Sequence, residues 1–584
     1  MNNIFKILLL AGVMASAMSC EELVIGNEFL AKPPGADITI DTVYANLENA
    51  ERALTAAYST LPYRLPHEWT QGSNVMNMDV LESLTDLCQS YLNWGGVNRH
   101  YYSMNYDAGL EDNDGAHTKY HFSGEKSWLG IRRAWLFHQN VDQVPDVDQA
   151  TIDRLKGEAL MIVAVHYTDM FRYYGGLPWV NKAYDIEDEL QEPRLTAEAT
   201  MDSIVSLCDR AAEVLPWQVD DISNWEGRFT RAAAKALKVR VLLFGASPLF
   251  NSAEPFREGE ASDLKMTWFG GYDANHWQNV VDAAEDFLTD LEANGEFALV
   301  NTGNPREDFT SGYYDRGVGE TIISTRRYFR SGGWQPRLFY QVCDWGIARP
   351  TQELVDMYPM VNGKSIDDPA SGYDPNDPYV DRDPRLYETV IVNGDVYRGR
   401  TAELWVGGRE RTTLNVVRSG TGYRLRKFYL DGDEATSIGS VIHWPYLRLP
   451  EVYLSYAEAL NEVNGGPTVV AYEYLNKTRE RVGVGPAEPG MTQEEFREEV
   501  LTERAREFVM EEIRWFDLVR WKMPFIQPHG MIITQNGDGS FSYEISDTSF
   551  ERLWVKNWDP KWYLNAFPME EVNKGYGLVQ NPGW

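Results

Sequence analysis

The chain has 584 residues, with 87 acidic against 54 basic side chains and a formal net charge of −33. That length allows a large core and two to four structural units, while the acidic balance argues against nucleic acid or an anionic lipid face as partner, because both need a basic footprint. The four cysteines are Cys20, Cys88, Cys208 and Cys343; without Cys20 the count is odd, which argues against a disulfide framework.

In chain order, an apolar run over 7–18 follows Lys6, too short to span a bilayer and shaped like a secretory h-region. Small residues Ala15, Ser16, Ala17 and Ser19 close it, so residues 1–19 are expected to be a targeting signal. Residues 20–40, including "NEFLAKPPGADITIDT", read as an extended Pro/Gly-broken tether. Helical spacing then predicts helices over 50–61, 128–144, 155–174, 201–215, 232–250 and 277–291, making 41–300 a helical region. Stops fall at Gly175-Gly176 with Pro178 beyond, and at Pro216. Cys208 belongs to one of these apolar stripes and reads as core.

The second region, 301–584, opens with a loop-rich insertion at about 301–440. Within it, strand candidates at 387–392 and 396–400 flank Asn393-Gly394, which predicts a hairpin, and "YRLRKFYL" alternates nearby. Helices resume over 449–462, 470–481 and 492 to about 523, and Asn536-Gly537 predicts another hairpin. Neighbouring helices that cannot bury both faces alone are the unit of a tetratricopeptide-type solenoid.

Three stretches could carry chemistry. In "LTERAREFVMEEIRWFDLVRW", Leu501, Ala505, Phe508, Val509, Ile513, Phe516 and Val519 form one stripe, with Glu503, Arg504, Glu507, Arg514, Asp517 and Arg520 on and beside it. Paired acids could do general acid/base work, but each has a cation within reach on the same helix, so a salt-bridged helix is the preferred reading. In "SGYDPNDPYVDRDPRLYETVIVNG", Asp374, Asp377, Asp381 and Asp383 could bind Ca²⁺ through hard oxygen ligands. The spacing is not that of an EF-hand and the interleaved prolines suit rigid turns, so turn architecture is preferred and no cofactor is expected. Finally, "YLNWGGVNRHYYSMNY" and "YFRSGGWQPRLFYQVCDW" each set a Trp beside a Gly-Gly pair. An indole on a mobile loop stacks on a sugar ring while nearby amides and guanidinium groups bond its hydroxyls; loop anchoring by the same aromatics is an equally open reading. Walker, Rossmann, HExxH and G-x-S-x-G motifs are absent from the sequence, and nothing in it demands an enzyme.

The ordered stretches "SAMSC", "GEALMIVAVHYTDMFRYYGGLPWV", "RAAAKALKVRVLLFGASPLF", "RPTQELVDMYPMVNGKSI", "VDRDPRLYETVI", "YLRLPEVYLSYAEALNEVNG", "LNKTRERVGV", "ERAREFVMEEIRWFDLVRW" and "FPMEEVNKGYGLVQNPGW" resemble the SusD/RagB family of Bacteroidetes outer-membrane nutrient-binding lipoproteins, nearly end to end. The resemblance implies a mainly α fold: tetratricopeptide-like helix pairs forming a right-handed helical scaffold, a loop-rich irregular ligand face and a few short β-hairpins. It implies no catalysis. It implies capture of a glycan at the cell surface and delivery to a SusC-like TonB-dependent barrel, with peptides or glycoprotein-derived nutrients as the alternative cargo. A surface glycoside hydrolase, with carboxyls roughly 5–9.5 Å apart, is the remote alternative. Carried onto this sequence, the implied ligand residues are Asp86, Asn93, Trp94 and Arg99 in the first third and Tyr328, Trp334 and Trp345 near the middle. Cys20 resembles the lipidated first residue of a mature lipoprotein, and Glu21-Glu22 resembles a surface-export signal. Both place the chain at the outer membrane, facing outward.

Overall fold

The computed structural model describes residues 40–66, 75–114, 117–124, 126–185, 187–188, 191–221, 225–326, 337–412, 420–431, 442–548 and 550–584. The predicted signal and tether up to residue 39, together with Cys20, Tyr328 and Trp334, lie outside the described residues.

Helices form where the 3.6-residue apolar period predicts them. The main ones are α1 (Leu47–Tyr58), α2 (Ser127–Asn140), α3 (Gln149–Tyr174), α4 (Ala197–Val214), α5 (Arg231–Ala246) and α6 (Asn275–Asn294). After the irregular insertion come α7 (Arg337–Trp345), α8 (Leu449–Asn464), α9 (Val469–Arg481), α10 (Gln493–Glu507) and α11 (Arg514–Arg520). Side chains fix several starts: Asp148 accepts from Thr151 N, Thr196 from Ala199 N, Thr230 from Ala233 N, and Thr468 from Ala471 N. Thr492 and Glu495 close a capping box on α10. Each such cap satisfies an otherwise orphaned helical N–H and contributes about 1 kcal/mol.

The helices pack largely in sequence order. α1 lies on α2, α2 on α3, α3 on α4, α4 on α5, α5 on α6, α6 on α8, and α8 on both α9 and α10. This neighbour-to-neighbour stacking is what a solenoid of helix pairs requires. α3 is its pillar, with every residue from Gly157 to Tyr174 buried. Fully burying each of its Ile, Val, Met and Phe side chains contributes about 1.5–3 kcal/mol before chain entropy is subtracted. The pillar stops at Gly175, whose φ of +79° is open to glycine and whose added Cβ would come within 2.7 Å of the Met266 carbonyl.

Two expectations are corrected. The strands flanking Asn393-Gly394 do not pair with each other: Val390–Ile391 pairs with Arg424–Leu425, and Val396–Tyr397 with Arg400–Thr401. A two-residue type I′ hairpin needs positive φ at both central residues; Gly394 has it (φ 90°), and Asn393 does not. The Asn393 amide oxygen instead accepts from Leu404 N at 3.0 Å, drawing the chain onward. The hairpin at Asn536-Gly537 does form, with His529–Gln535 paired to Phe541–Asp547.

The single helix expected over 492 to about 523 is broken between α10 and α11, where Met510 and Glu512 take positive φ (67° and 55°). The break turns two acids inward: Glu511 accepts from Arg448 (2.9 and 2.8 Å) and Lys427 (2.7 Å), while Glu512 lies 3.2 Å from Arg64. The helix is salt-bridged as expected, but not mainly to itself. Glu507 takes its cations from Arg385, Arg448 and Arg481, and Glu503 from Arg385 as well as from Arg506 on its own helix.

Candidate functional site

The shortest strands of the fold carry the site. Cys88–Gln89 pairs antiparallel with Arg349–Pro350, in register Cys88↔Pro350 and Gln89↔Arg349, and Tyr91 N donates to Gly346 O at 2.8 Å. These bonds set the first aromatic loop against the C-terminal end of α7. The Trp94 and Trp345 rings meet there, centroids 6.1 Å apart and planes at 70°. Trp94 is 39% exposed, Trp345 is half-buried, and Asn93 and Arg99 are exposed on the same loop.

The loop is held from beneath rather than mobile. The Asp79 carboxylate accepts from Ser90 Oγ (2.5 Å), Ser83 Oγ (3.1 Å) and Val80 N (3.0 Å). Burial pushes this carboxyl up to about 7, against those three hydrogen bonds. Asn98 Nδ2 donates to the Ser90 and Leu92 carbonyls at 3.2 and 3.1 Å. Gly96 is required by close approach and not by a special φ: its added Cβ would sit 2.1 Å from the His117 carbonyl and 2.8 Å from Met76 backbone. The loop therefore presents Trp94 on a packed base.

Beside Trp345, Asp344 accepts from the Arg424 guanidinium and from Tyr429 Oη at 3.1 Å. Arg398 donates to the same Tyr429 hydroxyl at 3.0 Å. The Asp344 side chain is 43% exposed, so its remaining lone pairs reach solvent. Two indoles beside a fixed array of carboxylate, guanidinium and phenol can cover the apolar face of a ring and bond its hydroxyls. Sequence reasoning missed Asp344, Arg424, Tyr429 and Arg398. The available signals were the adjacency of Asp344 to Trp345 and the alternation in "YRLRKFYL".

Asp86 serves the scaffold. Both its carboxylate oxygens accept from Arg514 (2.9 and 2.6 Å), and its carbonyl accepts from the Thr351 hydroxyl. In the Asp/Pro segment, Asp374 accepts from Asn376 N at 2.9 Å and Asp383 pairs with Arg385 at 2.8 Å. Among the described residues no cluster of His, Cys, Asp and Glu is arranged to hold a metal, and Cys88, Cys208 and Cys343 are buried free thiols. Among the same residues no helix is long and apolar enough to cross a membrane.

Comparison with known proteins adds the following. A family model described as "SusD family" matches residues 324–584, and one described as "Starch-binding associating with outer membrane" matches 71–243. SusD-like protein P25 of Formosa agariphila is 30% identical over 179 residues, which is 28% of this chain and 32% of that protein, so the alignment spans about a third of the relative. The crystal structure of a SusD-like protein from Bacteroides fragilis superposes with a TM-score of 0.71 at 21% identity, covering 95% of this chain and all of that one. Surface glycan-binding protein A from Bacteroides fluxus superposes with a TM-score of 0.59 at 17% identity, covering 92% and 100%. Helix-pair scaffold, ordered sequence stretches and both family models agree: the chain belongs to the SusD/RagB family.

Proposed function

We propose that this chain is a non-catalytic surface glycan-binding lipoprotein that captures a saccharide at Trp94 and Trp345 and hands it to a partner TonB-dependent outer-membrane barrel. The observation that carries the reading is the exposed indole pair set beside Asp344, Arg424 and Tyr429. The family description as starch-binding and outer-membrane-associated supports it, as does the fold shared with a surface glycan-binding protein. A shallow face with two rings recovers limited apolar area, so affinity is expected in the micromolar to millimolar range, roughly 4–8 kcal/mol. Anchoring beside a transporter raises the effective concentration and makes weak binding sufficient.

The anchor is assigned to Cys20, whose thiol and amine would carry acyl chains; two or more chains give the stable attachment that one cannot. Mass spectrometry of the mature protein is expected to find a triacylated Cys20 at its N-terminus, and an unmodified chain beginning elsewhere refutes the anchor. Binding is tested by native electrophoresis through gels containing one polysaccharide each, across neutral and acidic plant and microbial glycans. Retardation by at least one glycan, lost in Trp94→Ala, is expected. Absence of retardation by all of them, or release of reducing ends from a retained glycan, would overturn the proposal.

A further inference from the structure

The segment after α3 runs extended between two hollows. Pro178 and Val180 line one, of about 570 Å³, and Trp179 and Asn181 line the other, of about 610 Å³. Side chains of an extended segment alternate by residue, so a single short ridge divides aromatic from polar surroundings. In the first hollow the carboxylates are already engaged: Glu192 accepts from Tyr184, and Glu571 from Lys574.

The second hollow is built differently. One wall is aromatic: Tyr167 covers one face of Trp179 (centroids 4.2 Å apart, planes at 33°), which fixes that indole while Trp179 still lines the cleft. Trp135 stands beside it with its N–H committed to Val180 O at 2.9 Å. The opposite wall is α4, where Asp202, Ser203, Ser206 and Arg210 fall on one helical face. The Asp202, Ser206 and Arg210 side chains make no hydrogen bond to the described residues, and all three are exposed at the rim. Ser203 donates to Ala199 O, which leaves its oxygen as an acceptor. Gln139 uses its carbonyl on Ala183 N, which leaves its amide as a donor.

Charge decides the ligand class. Asp202 and Arg210 offset each other, and Lys156 nearby is paired with Asp142 at 2.5 Å. His138 between the walls is held neutral, its pKa brought down to about 4 by burial and then by Lys156 and Arg210, against Asp142. The cleft thus offers a fixed indole face, mixed donors and acceptors and no net charge, at a volume within the usual range for small-ligand sites of roughly 300–1,000 Å³. We propose that it is a second saccharide site, on the helical scaffold and separate from the Trp94–Trp345 face, which takes a neutral hexose unit stacked on Trp179. Two modest sites on one lid would hold a long glycan more firmly than either alone.

The experiment uses full-length protein carrying Trp94→Ala, so that the first face is disabled, and saturation-transfer NMR with free glucose, galactose and mannose as probes. Ring-proton transfer from at least one sugar is expected to persist in Trp94→Ala and to vanish when Ser206→Trp, an exposed position, fills the cleft. Asp202→Ala is expected to weaken the same signal about tenfold, as loss of a charge-assisted hydrogen bond does. Thermal melts of each variant confirm folding. No transfer from any of the three sugars in Trp94→Ala, or transfer indifferent to Ser206→Trp, overturns the second site. Failure of the first reading is read separately, from polysaccharide retention in wild type against Trp94→Ala.

Discussion

Two regions of this molecule use the same residue types to opposite ends. Where α9, α10, the strand Trp444–Arg448 and the turn at Asp383 converge, Arg385, Arg448, Arg481 and Lys427 meet Glu320, Glu503, Glu507 and Glu511, every one at most 4% exposed. At Trp94 and Trp345, arginine, carboxylate and aromatic groups also converge, but Asp344 keeps 43% and Trp94 39% of its surface in solvent. In the sealed cluster each charge is satisfied by protein, so its consequence is cohesion. At the open face the groups are fixed but not saturated, so their consequence is recognition.

The largest effect should follow from opening the sealed cluster. Arg448→Ala leaves Glu320, Glu507 and Glu511 short of a cation in a site without water, and removing one partner of a buried charge network costs about 3–5 kcal/mol. Denaturant unfolding is expected to show a loss of that size, while a loss below about 1 kcal/mol would mean that the network is incidental.

A smaller, pH-dependent effect should come from its flank. Burial pushes Glu512 up to about 8, with Arg64 opposing and Glu82 and Asp169 adding to the rise, and burial likewise pushes Glu82 up to about 7. An unfolded glutamate releases its proton near 4.5, so these groups contribute stability that is complete below that pH and is lost as pH rises to about 8. Glu503 has the reverse sign. Although burial works against it, Arg385, Arg506 and Arg479 hold it down at about 2, so its contribution is present above pH 4.5 and is lost as pH falls toward 2. Melting temperature is therefore expected to fall from pH 5 to pH 8, and to fall less steeply in Glu512→Gln. An equal slope in the variant would remove Glu512 from the explanation.

How much could be read from sequence differs between the same two regions. The helices announce themselves because each buries a stripe whose period is local, as in α3 and α8. The hairpin at Asn536-Gly537 is equally local. The break between α10 and α11 is not, because it exists to deliver Glu511 and Glu512 to Arg448, Lys427 and Arg64, far away in the chain. The two loops with Trp beside Gly-Gly were legible as aromatic loops, but the meeting of Trp94 with Trp345 depends on a two-residue strand pairing that no period marks. Asp86 shows the same limit from the other side: its place near Trp94 in sequence pointed to a ligand contact, while in space Arg514 takes both its oxygens. Gly96, which reads as flexibility in sequence, proves to be a point of close packing.

The smallest expected stability change and the largest expected binding change meet in one variant. Trp94→Ala removes an exposed ring that no buried charge depends on, so its melting temperature should stay within about 2 °C of wild type. Calorimetric titration with a polysaccharide that retards the wild-type protein, run beside a melt of the same sample, tests the separation of cohesion from recognition most directly. The predicted result is at least a tenfold loss of affinity at an unchanged melting temperature. Unchanged affinity, or a loss that appears only together with unfolding, would contradict it.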